Sequence, residues 1–217
     1  FDGPGLIIDG VDNLTIRSND DNVTGHTIAA IPRYADVLTF QSCSYITLSG
    51  FTAGHTREPG SCCGGVLEFQ DTDHVTVDNC GLFGCGILGV YAEYCNDIRV
   101  ANCDIYECSQ GGVQFRGTKG IVMENNTLRD LAGSDMDFID CKDVTVNGET
   151  LIPADVSNSL IIQSEYQQDL QALDRFVTEF ANAYFYGDTQ TLSAGLSKDY
   201  TGGMETYSGN TNDVIVC

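Results

Sequence analysis

A repeat of 23 residues governs the first two thirds of this chain. An apolar-x-apolar tripeptide occurs at 14–16, 46–48, 75–77, 98–100, 121–123 and 144–146. The last three intervals are 23 residues each, and the earlier intervals of 32 and 29 residues are the same repeat with insertions of 9 and 6. Six copies of one short pattern predict a fold of stacked, equivalent units.

Other positions keep the same register, which indicates that equivalent side chains stack on one another. One largely aromatic column consists of Ile8, Phe40, Phe69, Ala92, Phe115 and Phe138. A polar column of Asn79, Asn102 and Asn125 is typical of a tight turn. Within each copy, apolar and polar residues alternate with the period of a β-strand and not with that of a helix. We therefore predict an all-β fold, a right-handed parallel β-helix of about six coils stacked ~4.8 Å apart.

Three stretches carry a resemblance to a known family. They are GHTREPGSCCGGVL at 54–67, LFGCG at 82–86 and IYECS at 105–109. Together with the repeat, they resemble the right-handed β-helix repeats of the pectate-lyase-like superfamily, and in particular a bacterial group without assigned activity. The resemblance covers about residues 5–152. Because that superfamily includes lyases, hydrolases, esterases, adhesins and inert stalks, it implies a fold and not one activity.

The register ends after Leu151, where the sequence changes character. We assign 1–152 to the β-helix and 153–163 to a linker, in which the apolar run 160–162 is consistent with one further strand. In 164–217, apolar residues recur in steps of three and four, which predicts a short α-helical segment. It is interpreted either as a cap on the open end of the β-helix or as the truncated start of a second domain. The second interpretation rests on a faint resemblance to the opening helices of NTF2-like domains.

The two ends of the chain suggest a piece of a longer protein. The sequence begins at Phe1 without a methionine and ends on the apolar run 214–217. Localisation is therefore left open, and only the fold resemblance favours an extracellular or cell-surface setting. The oligomeric state is left open as well.

The charge balance excludes some classes of partner. Asp and Glu number 31 against 10 Lys and Arg, which gives a formal charge of −21. A nucleic-acid-binding surface needs clustered Lys and Arg, so nucleic acid is not an expected partner. No apolar run reaches the ~18 residues of a membrane-spanning helix, so we expect no membrane insertion by this segment.

Ten cysteines stand out in the composition. One column contains Cys62, Cys85 and Cys108, and another contains Cys80 and Cys103. This spacing favours buried free thiols that fill a stacked interior. Disulfides remain an alternative, although side chains on parallel, in-register strands point the same way and fit the disulfide dihedral poorly. A zinc site is the least favoured reading because paired C-x2-C spacing is absent.

The outward neighbours of the aromatic column are the candidate substrate-binding residues. They form two parallel columns on the same predicted sheet: Thr39, Glu68, Tyr91, Gln114 and Asp137, and then Gln41, Gln70, Glu93, Arg116 and Ile139. Carboxylate, amide and aromatic groups one coil apart form a ladder that is matched to an extended polysaccharide. We expect Glu68, Tyr91, Gln114, Asp137 and Glu93 to contact it. The competing reading is that any β-helix places polar groups outside.

Arg116, Glu93 and His55 are the candidate catalytic residues. Arg116 is a candidate base for elimination from an acidic glycan beside bound Ca²⁺, the one cofactor considered, and His55 is a candidate general base. Candidate calcium ligands are Glu93, Asp135 and Asp137, because carboxylate oxygens suit this hard cation. His74, between Asp71 and Asp73, is interpreted as a solvated turn residue.

Three functions remain open on these observations. The first is a non-catalytic, glycan-binding module of a surface or carbohydrate-related bacterial protein. The second is a polysaccharide lyase or glycoside hydrolase. Against the hydrolase, the chain lacks the Gly-His-Gly and Arg-x-Lys motifs of polygalacturonase-like β-helices. The third is a structural spacer or interaction scaffold.

Overall fold

The structure is a computed structural model that describes residues 5–18, 25–56, 63–84 and 87–163. The predicted α-helical segment 164–217, with its two interpretations, lies outside these residues, as do Cys62 and Cys85. In the described ranges the chain folds into strands. In chain order they are β1 (Leu6–Asp9), β2 (Thr15–Arg17), β3 (Thr27–Ala30), β4 (Leu38–Gln41), β5 (Ser44–Ser49), β6 (Thr52–His55), β7 (Leu67–Gln70), β8 (Asp73–Asp78), β9 (Gly81–Phe83), β10 (Leu88–Glu93), β11 (Asn96–Ala101), β12 (Asp104–Tyr106), β13 (Gly111–Arg116), β14 (Lys119–Glu124), β15 (Thr127–Arg129), β16 (Met136–Val146), β17 (Glu149–Ile152) and β18 (Asn158–Ile162).

Every third strand joins the same parallel sheet, so each coil contributes one strand to each of three sheets. Sheet A contains β1, β4, β7, β10, β13 and the first part of β16; sheet B contains β2, β5, β8, β11, β14 and the second part of β16. Sheet C contains β3, β6, β9, β12 and β15. This is the all-β parallel β-helix that the repeat predicts, and the pairing register is the predicted one: Val75 faces Ile98, which faces Ile121.

Two antiparallel strands complete the last coil. β17 pairs with the sheet B part of β16, and β18 pairs with its sheet A part. The segment 153–163, assigned to a linker, therefore contains a strand that includes the apolar run 160–162. Both strands satisfy backbone groups of β16 that would otherwise form an open sheet edge.

The interior is filled by the predicted columns. Phe40, Phe69, Phe115 and Phe138 are fully buried. Their rings stack in pairs, with centroids 5.2 Å apart for Phe40 and Phe69 and 5.7 Å apart for Phe115 and Phe138. Stacked rings at this distance add to the free energy gained from burial alone. The columns thus fix which residues of each strand face outward, and so define the outer surfaces.

The corner between sheets A and B is built on a column that the sequence analysis missed. Its members alternate between two residue types: Cys43, Thr72, Cys95, Thr118 and Cys141. The single proton of each thiol or hydroxyl faces two carbonyl oxygens, one two residues earlier in its own coil and one in the preceding coil. Cysteine is therefore a hydrogen-bonding corner residue here as well as an interior filler.

The seven cysteines in the described residues are free thiols, as the column spacing predicts, and all but Cys63 are buried. Burial raises the pKa of Cys95 and of Cys108 to about 12. These two side chains stay protonated at neutral pH and are poor nucleophiles, because the thiolate is the reactive form.

Residues with positive φ form further columns along the corners. One column follows sheet B strand by strand, with Tyr45, His74, Asp97 and Asp143 at φ of 54 to 56° and Gly120 at 72°. The predicted asparagine column lies at the far end of the same strands, where Asn79, Asn102 and Asn125 have φ of 51 to 53°. Because each coil repeats this backbone conformation, the side chains at these positions lie in lines along the stack.

Candidate functional site

The outer face of sheet A carries the predicted polar ladder. In the strand register Thr39 faces Glu68, Glu68 faces Tyr91, and Tyr91 faces Gln114. Gln114 in turn faces Asp137 and donates from Nε2 to its Oδ2 at 3.3 Å. The second column has the same register, with Glu93 opposite Arg116. The predicted substrate-binding residues therefore share one face of one sheet.

Hydrogen bonds between neighbouring coils hold part of this ladder in place. Gln41 Nε2 donates to Gln70 Oε1 at 3.1 Å. Gln70 Nε2 donates to Glu68 Oε1 at 2.6 Å, and the Thr39 hydroxyl contacts Glu68 Oε2 at 3.5 Å. A ligand that bound here would meet side chains that are already ordered, which lowers the conformational entropy lost on binding.

Glu68 is paired with a carboxyl group that the sequence analysis missed. Half-burial, a hydrogen bond to Asp36 and the charge of Asp36 raise the pKa of Glu68 from 4.5 to about 7. Asp36 precedes β4, and its Oδ1 accepts a hydrogen bond from the Gly65 backbone amide at 2.5 Å. Near neutral pH the Glu68 carboxyl can therefore donate a proton as well as accept a hydrogen bond.

Tyr91 stands at the middle of the ladder. Burial first, and then the charge of Glu93 and a hydrogen bond to it, raise the pKa of Tyr91 to about 12, although nearby Arg116 acts in the opposite direction. The hydroxyl is therefore protonated at neutral pH and acts as a hydrogen-bond donor. Arg116 is exposed at the edge of the same face.

The outer face of sheet B holds a cleft of about 500 Å³ that the sequence analysis did not predict. One wall is the positive-φ column: Tyr45, His74, Asp97, Gly120 and Asp143. The floor is the outward column of the same strands: Thr47, Thr76, Arg99, Val122 and Thr145. The cleft crosses five coils, so it extends roughly 19 Å along the stack at ~4.8 Å per coil.

His74 is held from both sides within this cleft. Its ring stacks on Tyr45 with centroids 4.5 Å apart and an angle of 19° between the planes. On its other side, Nδ1 lies 3.1 Å from Asp97 Oδ2. The side chain is 43% exposed, as expected of a solvated residue, but its two contacts come from adjacent coils and not from its neighbours Asp71 and Asp73 in the chain.

Comparison with known protein families identifies the fold that carries these two faces. A family model described as the right handed beta helix region matches residues 3–157. The chain belongs to the right-handed β-helix family. A search of curated proteins and a search of solved structures each returned no significant match. The family match therefore establishes the right-handed β-helix fold, and it assigns no function to either outer face.

His55 lies inside the β-helix and not on the sheet A ladder. It is 2% exposed, and Nε2 donates to the Ala35 carbonyl oxygen at 2.8 Å. A general base must reach the proton that it abstracts. The role proposed for His55 therefore finds no support in its position, which is that of a structural histidine linking neighbouring coils.

The candidate calcium ligands are not brought together. Asp135 is buried, whereas Asp137 lies on the outward ladder opposite Gln114. Glu93 belongs to a strand two coils earlier in the β-helix. Across the described ranges, no three His, Cys, Asp or Glu side chains lie close enough to hold a metal ion.

Arg99 occupies the floor of the sheet B cleft with its charge matched. Nη2 lies 2.8 Å from Glu124 Oε2, and Nη1 lies 3.7 Å from Asp78 Oδ1. The guanidinium is thus paired with carboxylates that do not line the cleft.

Within the part of the β-helix that the structure describes, no helix is long and apolar enough to cross a membrane.

Signals for the missed residues exist in the sequence. Tyr45, His74 and Asp97 are separated by 29 and 23 residues, the same intervals as the repeat. Asp36 is the only acid in its column, since the equivalent residues in the next four coils are Gly65, Leu88, Gly111 and Ser134. An acid at a position otherwise held by small or apolar residues departs from the repeat, and such departures identify candidate functional positions.

Proposed function

We propose that this β-helix is a non-catalytic glycan-binding module of a surface or carbohydrate-related bacterial protein. An extended glycan would lie along the outer face of sheet A. The observation that carries the proposal is the in-register ladder of Glu68, Tyr91, Gln114 and Asp137 over four consecutive coils. Its two ends lie roughly 14 Å apart at ~4.8 Å per coil.

The chemistry of the ladder suits hydroxyl groups. A sugar hydroxyl both donates and accepts a hydrogen bond, and the ladder offers carboxyl, amide and phenol groups that do the same. Tyr91 adds an aromatic surface with a polar tip. A formal charge of −21 opposes binding of an anionic polymer. The preferred ligand is therefore a neutral glycan.

Affinity gel electrophoresis tests this proposal with the full chain and a panel of neutral and acidic polysaccharides, with and without Ca²⁺. A neutral polymer is expected to retard the wild type, and Tyr91→Ala to remove most of that retardation. Tyr106→Ala is the matched control, because Tyr106 lies on the outside of sheet C, away from the ladder. If the polymer retards Tyr91→Ala as strongly as Tyr106→Ala, it binds away from the ladder. If it does not retard the wild type either, a spacer or scaffold is favoured.

A glycoside hydrolase is the second candidate, favoured by one observation. Glu68 has a pKa of about 7 and lies on the ladder. Hydrolysis of a glycosidic bond uses a protonated carboxyl as general acid together with a carboxylate as base or nucleophile. Glu93, in the next coil, would supply that carboxylate. Release of reducing ends that is lost in Glu68→Gln and in Glu93→Gln would support the hydrolase over the binding module.

A further inference from the structure

We infer that the sheet B cleft is a second binding site, for a short neutral oligosaccharide, and that it acts independently of the sheet A ladder. Its volume of about 500 Å³ lies within the range of small-ligand pockets. The proposed glycan-binding function concerns a different face and an extended polymer. The inference therefore goes beyond that function and does not depend on it.

The recognition group of this site is a row of three fixed side chains. Tyr45 stacks on His74, and His74 Nδ1 faces Asp97 Oδ2. A carboxylate accepts a hydrogen bond, so Nδ1 carries a proton toward Asp97 and Nε2 is left to face a ligand. A sugar hydroxyl both donates and accepts, so it can pair with Nε2 at this side chain, which is 43% exposed.

Gly120 creates room at the centre of the cleft. Its positive φ does not require glycine, because Tyr45, His74, Asp97 and Asp143 adopt positive φ in the same column. A Cβ atom at this position would lie 2.6 Å from Asp97 Oδ1 and would displace that carboxylate. The absence of a side chain therefore lets Asp97 lie over the backbone of the next coil, within reach of a bound sugar.

The charges of the cleft select a neutral ligand. Arg99 is matched by Glu124 and Asp78, so its guanidinium is not an open anion site. Asp97 and Asp143 line the same cleft and would repel an anionic sugar. Three threonines and Val122 on the floor offer hydroxyl groups and methyl groups, which suit the hydroxyls and the C–H faces of a neutral sugar ring.

Isothermal titration with neutral tetrasaccharides of glucose, xylose and mannose tests the inference on the full chain. Gly120→Asn fills the cleft with a residue that tolerates positive φ, and is expected to lower the affinity at least tenfold. Gly117→Asn is the matched control, since Gly117 also has positive φ, in the same coil, but does not line the cleft. Loss of affinity in Gly117→Asn equal to that in Gly120→Asn would overturn the inference.

A second measurement separates this site from the ladder. His74→Gln keeps a polar side chain but loses the ring, and is expected to weaken tetrasaccharide binding while Tyr91→Ala leaves it unchanged. NMR chemical-shift changes of the wild type on titration should centre on Tyr45, His74 and Gly120. Changes that centre on Glu68 and Tyr91, or no tetrasaccharide binding by the wild type, would refute the second site, whereas retention of a polymer tests the ladder separately.

Discussion

The carboxyl groups of Asp36 and Glu68 hydrogen-bond to each other beside the outer face of sheet A. The two acids belong to neighbouring coils. Burial and the Asp36 contact raise the pKa of Glu68 from 4.5 to about 7, so the folded protein retains a proton that the unfolded chain releases. This coupling links the stability of the β-helix to pH.

The pH dependence has a definite sign. The contribution of Glu68 to stability is complete below pH 4.5 and is lost as the pH rises through about 7. Glu68→Gln does not titrate, so its melting temperature relative to the wild type should be higher above pH 7 than at acid pH. Thermal melts across this range measure the effect. Glu149→Gln, at an exposed residue of β17, is the control, and a wild-type pH profile in Glu68→Gln would contradict the assignment.

The corner column predicts that cysteine and threonine are interchangeable there. The Thr118 hydroxyl accepts from the Cys95 amide at 3.4 Å and donates to the Arg116 carbonyl oxygen at 3.1 Å. The Arg116 carbonyl oxygen also accepts from the Tyr94 amide at 2.9 Å, so Thr118→Val leaves the buried Cys95 amide as the group without a partner and should cost about 1–3 kcal/mol. Thr118→Cys should cost much less, because a thiol fills the same place at Cys95 and Cys141. Equal losses in denaturant unfolding would show that shape, and not hydrogen bonding, matters at this corner.

The phenylalanine column predicts a large loss on truncation. Phe115 is fully buried, and its ring is nearly parallel to that of Phe138, at an angle of 7°. Phe115→Ala removes a buried ring and opens a cavity, which should lower the free energy of unfolding by about 3–5 kcal/mol. Denaturant unfolding monitored by circular dichroism measures it. Tyr106→Ala, at a half-buried ring on the outer surface, should cost clearly less.

Thiol accessibility predicts a selective labelling pattern. Cys63 is exposed, whereas Cys95 and Cys108 are buried with pKa values of about 12. In the native protein, iodoacetamide should modify Cys63 far faster than the two buried thiols, and in denaturant the three rates should converge. Peptide mass spectrometry measures each site separately. Rapid native labelling of Cys95 would mean that the corner column opens readily.

The sequence predicts the coil stack well because periodic positions stack in space. Once Val75 is aligned with Ile98, the alignment of Phe69 with Ala92 follows, and the outward position of Tyr91 follows from strand alternation. The same argument places Glu68, Tyr91, Gln114 and Asp137 on one face without any structure. Their role in binding remains a prediction.

Periodicity does not predict features whose residue type changes from coil to coil or that leave the repeat. The corner column alternates between cysteine and threonine, so it lacks the run of identical residues that reveals the Asn79, Asn102 and Asn125 column. The neighbours of His74 in the chain are Asp71 and Asp73, whereas its contacts are Tyr45 and Asp97 in adjacent coils. β17 is antiparallel to β16 and leaves the repeat altogether, so periodicity carries no information about it.

The antiparallel strands on β16 give one end of the coil stack a different backbone edge from the edges between its coils. A parallel β-helix whose last strand is bare offers its backbone as a template, and copies could add end to end into a fibre. Here β17 and β18 cover the sheet B and sheet A edges of β16 with strands of opposite direction, and Pro153 and Asp155 lie between them. On these two sheets an incoming coil would meet antiparallel strands, and not the parallel edge that each coil offers the next, so the strands that finish the fold also interrupt its repeat.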